Sequence, residues 1–245
     1  MRSLACIVLA TRVVAAEPLG RVVTAPTAWL PDAGTAYGSA QLDHRGDGAI
    51  DVGLGLGGLA AVELGEDTEV RRCETTCTGP QHAIPIRQGR ATFRLGTRQD
   101  AWFAGQPALV FGVAESVGGS TGAQVGQAYV VASRTLGPLV AHGGAELLDA
   151  RAYAGAPRLG NTLRPLGGLE LIPPQYPKTT LMIDLAWLPV VQADRASVEW
   201  LIGWGVRYQA LMWGSIELDV RHREGEGLAG STVFVRVNGV WSHAL

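Results

Sequence analysis

The chain has 245 residues, a net charge of −2 and 47% hydrophobic residues, with 33 glycines and 13 prolines. That length suits one domain and is marginal for two. No apolar run approaches the ~20 residues of a membrane-spanning helix, and the near-neutral charge without a Lys/Arg-rich block argues against a nucleic-acid partner. The route into a bilayer that stays open is a closed barrel, in which every backbone polar group is paired between strands.

In chain order, the N-terminus reads as an export signal. Met1-Arg2-Ser3 gives the positive start, Leu4 to Ala10 the apolar core, and Val14-Ala15-Ala16 a small-residue cleavage site before Glu17. Arg12 interrupts the apolar stretch, and the rival lipoprotein reading at Ser3-Leu4-Ala5-Cys6 has almost no apolar region before its cysteine. Residues 1–16 are therefore expected as a cleaved signal peptide and 17–245 as a single domain. Loss of Cys6 with the signal leaves Cys73 and Cys77, spaced as CETTC, as an even pair for a disulfide-closed loop in an oxidising compartment. Metal binding with His82 is the alternative, but a lone CxxxC is a poor zinc pattern, which normally wants four convergent ligands. No cofactor is expected.

Residues 17–34, with GRVVTAPTAWLPD, show no clean alternation and are expected inside the barrel mouth, as a plug, or along its rim. Strands follow quickly. Ile50, Val52, Leu54 and Leu56 alternate with Asp51, Gly53, Gly55 and Gly57, and Gly57-Gly58 suits a two-residue hairpin turn. The same residues match GxGxxG, but the chain beyond them alternates as a strand, so a dinucleotide fold is not supported. Ala91 to Arg98 puts Phe93 and Leu95 outward and Arg94 and Arg98 inward. Pro107 to Val117 and a hairpin of Gly126 to Leu136 with Leu139 to Leu148 come next, then a Gly/Pro-rich loop over Arg151 to Asn161. Arg164 to Ile172 is a weaker strand, and Thr179 to Leu188 sets Met182 and Asp184 inward.

Ser197 to Arg223 carries the clearest pattern. Val198, Trp200, Ile202, Trp204, Val206 and Tyr208 share one face and Glu199, Leu201, Gly203, Gly205 and Arg207 the other. After a short connection Ile216, Leu218 and Val220 oppose Glu217, Asp219 and Arg221. Each half has about the ten residues of a tilted membrane strand. Ser231 to Trp241 closes the chain, with Arg236 and Asn238 on the face opposite the valines. The fold expected is all-β: a transmembrane antiparallel barrel, an up-and-down meander of about twelve strands (10–14).

A soluble sandwich or lipocalin-like barrel also alternates. Against it stand the charges of the polar face, unbroken Val/Ile/Leu stripes on the other, and Trp187, Trp200 and Trp241 near expected strand ends, where aromatic girdles sit. The lumen is expected to be lined by Arg94, Arg98, Glu146, Asp184, Glu199, Arg207, Glu217, Asp219, Arg221 and Arg236. The cluster on the last three strands forms either a salt-bridged plug or a transverse field that orients a polar solute.

The stretches TAPTAWLPDAGTAYGSAQ (Thr24 to Gln41), DVGLGLGGLAAVELG (Asp51 to Gly65), PALVFGVAES (Pro107 to Ser116), YVVASRTLGPL (Tyr129 to Leu139) and LRPLGGLEL (Leu163 to Leu171) carry a resemblance. On them the chain resembles outer-membrane β-barrel proteins of Gram-negative bacteria, most closely the YjbH-like group linked to exopolysaccharide production. The resemblance implies an outer-membrane location and a role in polysaccharide secretion or envelope upkeep, and it brings no catalytic residues. The expected partners are the lipid bilayer, the barrel-assembly machinery and polysaccharide or small polar solutes. Barrel-assembly signals end on an aromatic at the C-terminus, whereas here Trp241 precedes Ser242-His243-Ala244-Leu245.

Enzymatic chemistry has one candidate. His142, with Glu146 on its own strand face and Ser133 on the neighbouring strand, offers a base, a carboxylate and a nucleophile for an acyl hydrolase. No GxSxG elbow is present, and scattered polar residues are what a lumen carries anyway. The reading from sequence is thus a non-enzymatic outer-membrane barrel, a narrow channel or a secretion accessory. Its rivals are the hydrolase and a soluble periplasmic binding barrel.

Overall fold

A computed structural model of the chain describes residues 20–67, 71–73, 84–85, 87–118, 124–151, 158–192 and 196–242. The expected signal peptide and Cys77, with the expected loop closure to Cys73, lie outside them. The strands are β1 (Thr35–Asp43), β2 (Gly48–Leu56), β3 (Ala60–Asp67), two short pieces β4 (Arg71–Cys73) and β5 (Ile84–Pro85), then β6 (Gln88–Thr97) and β7 (Ala108–Val117). They continue with β8 (Gln124–Leu136), β9 (Leu139–Arg151), β10 (Arg158–Leu171), β11 (Thr179–Gln192), β12 (Ala196–Leu211), β13 (Gly214–Arg223) and β14 (Thr232–Ser242). Setting aside β4 and β5, twelve strands pair antiparallel with their neighbours, and β1 with β14 closes the ring.

Alternation decides which face looks where. Ile50, Val52, Leu54, Phe93, Leu95, Ile216, Leu218, Val235 and Val237 point outward and are exposed, while Asp51, Arg94, Glu217, Asp219 and Arg236 from the same strands are buried inside. A soluble barrel does the reverse, so the apolar band fits hydrocarbon. At the end where β1 begins and β14 finishes, the terminal end, strands are joined by connections such as 57–59, 137–138 and 212–213. Trp102, Phe103, Tyr176, Tyr208, Trp213 and Trp241 stand exposed around that end. Gly57 and Gly58 hold φ of 78° and 66°, the left-handed conformation that the tight hairpin needs.

The opposite end, where β1 finishes and β14 begins, is the loop end; the terminal end also carries two longer connections, 98–107 and 172–178. The connection after β3 is the longest, and its β4 adds in parallel to β11, pairing Arg71 with Val190 and Cys73 with Gln192. β3 and β11 lie on opposite sides of the ring, so β4 stands across the loop-end mouth from β3.

Two expectations about strand limits are corrected. The hairpin of β9 and β10 extends into both ends of the stretch read as a Gly/Pro-rich loop, because Arg158 and Leu159 pair with Arg151 and Ala150 beyond a bulge that absorbs Gly160 and Asn161. Trp187 and Trp200 face each other across β11 and β12 well inside both strands, because those strands run on to Gln192 and start at Ala196.

The lumen is occupied. Residues 20–27 make a tight hairpin in which Val22 N–H donates to Ala25 O (2.9 Å) and Thr27 N–H to Gly20 O (2.9 Å). Val22, Val23, Ala25 and Thr27 are wholly buried. Ala28 to Leu30 then pack among Ala61, Ala108, Val110, Tyr129, Val131 and Leu166 of the wall. The segment leaves at the terminal end, where Gly58 N–H donates to Pro31 O (3.0 Å) and Gly34 N–H to Gly55 O (3.1 Å). A Cβ at Gly55 would overlap Pro31 and the Asp32 carbonyl, which explains glycine at that inward position.

Replacing Val235, on the outward face of β14, tests the apolar band. In lipid vesicles Val235→Arg is expected to cost about 2–4 kcal/mol, read from urea unfolding.

Candidate functional site

The site is the contact between the lumen wall and the hairpin tip, and it is made through backbone. Asp184, inward on β11, takes the N–H groups of Val23 (3.0 Å), Thr24 (2.6 Å) and Ala25 (2.6 Å) on one carboxylate oxygen. The carbonyls on the other side of the tip accept from arginines. Arg207 donates to Val22 O (3.3 Å), and Arg236 (2.9 Å) and Arg221 (3.5 Å) both donate to Val23 O. A buried carboxylate and buried guanidiniums each need partners of the opposite kind. A tight turn, with donors on one side and acceptors on the other, supplies both.

The arginines are themselves held. Glu217 accepts from Arg207 (2.5 Å), Arg236 (2.8 Å) and Asn238 (2.8 Å), and Glu170 lies 3.2 Å from Arg207. Arg221 and Arg236 stack over Phe234 at 4.2 and 5.2 Å from its centroid. Asp219 is fully buried beside Arg236 at 4.0 Å. Period two places these side chains inward on adjacent strands, and the register of β12, β13 and β14 sets Arg207, Glu217 and Arg236 side by side.

A second cluster stands on the opposite wall. Arg21, from the hairpin, and Arg90, from β6, share Asp51 (2.5 and 3.2 Å), and Arg90 also reaches Glu63 (2.9 Å). Arg94 donates to the Tyr37 hydroxyl (2.8 Å) and, at 3.5 Å, to Trp29 O. The hairpin is therefore gripped from two sides. Cavities of about 70 Å³ and about 60 Å³ remain beside Arg21, Thr24 and Pro26.

The residues expected to line the lumen sort as follows. Asp184, Arg207, Glu217, Asp219, Arg221 and Arg236 come together at the hairpin tip. Arg94 belongs to the other wall and does not join them. Glu199 is half-buried on β12 towards the loop end. Arg98 sits just past β6 at the terminal-end rim, exposed and paired with Asp32. Glu146 accepts from the Gln127 amide and, at 3.2 Å, from Trp187 N–H. Sequence reasoning passed over Glu170 and Arg90 as site residues, although Glu170, between Leu169 and Leu171, carries the same alternation.

The hydrolase constellation takes another form. Ser133 Oγ lies 2.7 Å from His142 Nδ1, as their paired register on β8 and β9 dictates. The carboxylate beside His142 is Glu170, 3.3 Å from Nε2, and not Glu146, which stands four residues along β9 and has other partners. Ser133 Oγ also accepts from Ala28 N–H (2.7 Å), and the Trp29 ring meets His142 edge-on at 6.4 Å. Ser133, His142 and Glu170 are all buried. Here the serine oxygen is committed to the segment's backbone, an anchoring arrangement.

Fold and site together define a closed twelve-strand antiparallel barrel with an outward apolar band, its lumen filled by residues 20–34. No family model matches the chain, and neither does any curated protein. Among solved structures, a KdgM porin in complex with disordered oligogalacturonate is similar over 85% of this chain and 99% of its own, with a TM-score of 0.53 at 7% identity. A NanC porin is similar over 85% of this chain and 99% of its own, with a TM-score of 0.50 at 11% identity. At such identities the likeness is one of fold.

Asp184→Ala strands three N–H groups, a loss of about 3 kcal/mol or more. Trypsin is then expected to cleave after Arg21 on the order of 100-fold faster than in the parent, while the unboiled barrel keeps its gel mobility.

Proposed function

We propose that this chain is a bacterial outer-membrane channel held closed by its own residues 20–34. The observation that carries the reading is the grip of Asp184, Arg207, Arg221 and Arg236 on the backbone of Val22 to Ala25. Twelve strands enclose more room than their own side chains fill, and here the space is taken by a segment rather than by water. Cavities of about 70 and 60 Å³ beside it suit a few water molecules, not a solute. The longest connection, after β3, lies at the loop end, and on that ground we take the loop end as external and the terminal end as periplasmic.

The solute class is small and polar, with oligosaccharides foremost. A lumen rich in arginine, carboxylate and amide groups offers hydroxyl-bearing solutes many hydrogen bonds once the segment leaves. The KdgM porin of similar fold was captured with oligogalacturonate, and the YjbH-like sequence resemblance also points towards polysaccharide. Channel and secretion-accessory roles share the same requirement, a lumen that empties. The segment is tethered to β1 at Thr35, so release swings it towards the terminal end.

Planar-bilayer recording tests the reading. The full chain, recovered from the outer membrane with a heat-dependent gel shift, is expected to be closed most of the time. Deletion of residues 20–34 is expected to give steady open conductance with the same gel shift. Equal conductance of the two chains contradicts the proposal.

A further inference from the structure

The outward apolar face carries a dent on β6 to β9. One row of the ladder runs through Val62, Phe93, Val113, Ala128 and Leu147. The next outward row towards the loop end runs through Leu64, Ala91, Glu115, Gly126 and Asp149. Val62, Phe93, Val113 and Leu147 stand exposed on the wall. Ala91, Gly126 and Ala128 are too small to fill the space between them, and a groove of about 590 Å³ opens over these positions. The chain at Thr92, Ala114 and Gln127 completes its floor. Glu115, Asp149 and Asn161 supply the remaining, polar part of the lining.

The polar residues differ in what they still need. Asp149 accepts from Arg158 Nε at 2.8 and 3.1 Å, so these two charges cancel. Glu115 is exposed and makes no hydrogen bond or ion pair among the described residues. It stands two residues before Val117, where β7 ends. A charge on the lipid side of a barrel is costly at the midplane and tolerated near the interface. There a headgroup of opposite charge can pair with it. Glu115 and Asp149 lie two strands apart in one row, roughly 10 Å at the spacing of paired strands. Gly126 lies between them in the row, so no side chain separates the two carboxylates.

We infer that this groove is a binding site for a phospholipid with a primary-amine headgroup, phosphatidylethanolamine. An acyl chain lies in the apolar part, the ammonium on Glu115, and the phosphate beside Arg158 and Asn161. A primary ammonium brings N–H donors to the carboxylate, whereas a trimethylammonium has none. A headgroup that is only anionic meets the charge of Glu115 without compensation. The inference rests on the barrel lying in a membrane, as the proposed function has it, but not on whether the hairpin gates a channel.

The test uses the full chain in vesicles of equal parts phosphatidylethanolamine, phosphatidylcholine and phosphatidylglycerol. The protein is extracted in mild detergent, and the lipids it retains are identified by native mass spectrometry. The parent is expected to retain phosphatidylethanolamine over each of the other two by about tenfold, the worth of one charge-assisted hydrogen-bonded contact. Glu115→Gln is expected to lose the preference, and Ala128→Phe, which fills the groove, to lose the retained lipid. Equal retention of the three lipids by the parent overturns the site. So does the parent's preference persisting in either variant with its heat-dependent gel shift intact. Should Ala128→Phe lack that shift, Glu115→Gln alone decides. Neither result alters the conductance comparison, which reads the lumen.

Discussion

A carboxylate and three guanidiniums buried in one lumen are tolerable only if each finds partners, and the partners here are peptide groups. Asp184 takes three successive N–H groups of the hairpin tip while Arg207, Arg221 and Arg236 address its carbonyls. Breaking such an arrangement leaves uncompensated buried charge, which costs far more than the pair contributes when intact. The wall and the segment therefore depend on one another. At the tip the wall binds backbone rather than side chains, so that contact demands a turn of the right shape more than a particular sequence, whereas Arg21 is held through its side chain. Small side chains at Val22 to Ala25 let that turn come close.

The same constraint shapes the wall. Lipid outside offers no hydrogen bonds, so charge is confined to inward positions and every strand edge must be closed or stripped of donors. Closure is met almost everywhere by the ladder. β10 and β11 pair only from Leu171↔Leu181 to Gly167↔Leu185; past that register Glu146 accepts from Trp187 N–H and the Pro165 carbonyl from the Trp187 indole. Ser133, His142 and Glu170 fall into place within this scheme. Their alignment links β8, β9 and β10 to Ala28 and Trp29 of the segment, and their burial favours anchoring over acyl transfer.

Much of this was legible in the sequence. Strands β2, β13 and β14 declare both faces by strict alternation, and the inward list drawn from it contains six residues that meet at the hairpin tip. Alternation is local, however, and says nothing of which wall a residue stands on. It could not separate Arg94 from the arginines of β12 to β14, or Arg98 at the rim from the lumen. Residues 20–34 have no period at all, because a segment inside a barrel is surrounded on every side; only their lack of pattern marked them. The parting of β10 and β11 was hidden for the same reason. Arg164 to Ile172 read only as a weaker strand, and which neighbour a strand pairs with is a non-local property.

Amide hydrogen exchange of Val23, Thr24 and Ala25 in the membrane-embedded full chain tests the central contact most directly. A segment locked to Asp184 is expected to protect these three amides as strongly as ladder amides of β13 such as Glu217. Exchange at the rate of an open loop, with the β13 amides still protected, would contradict the account by showing a lumen that the segment does not hold.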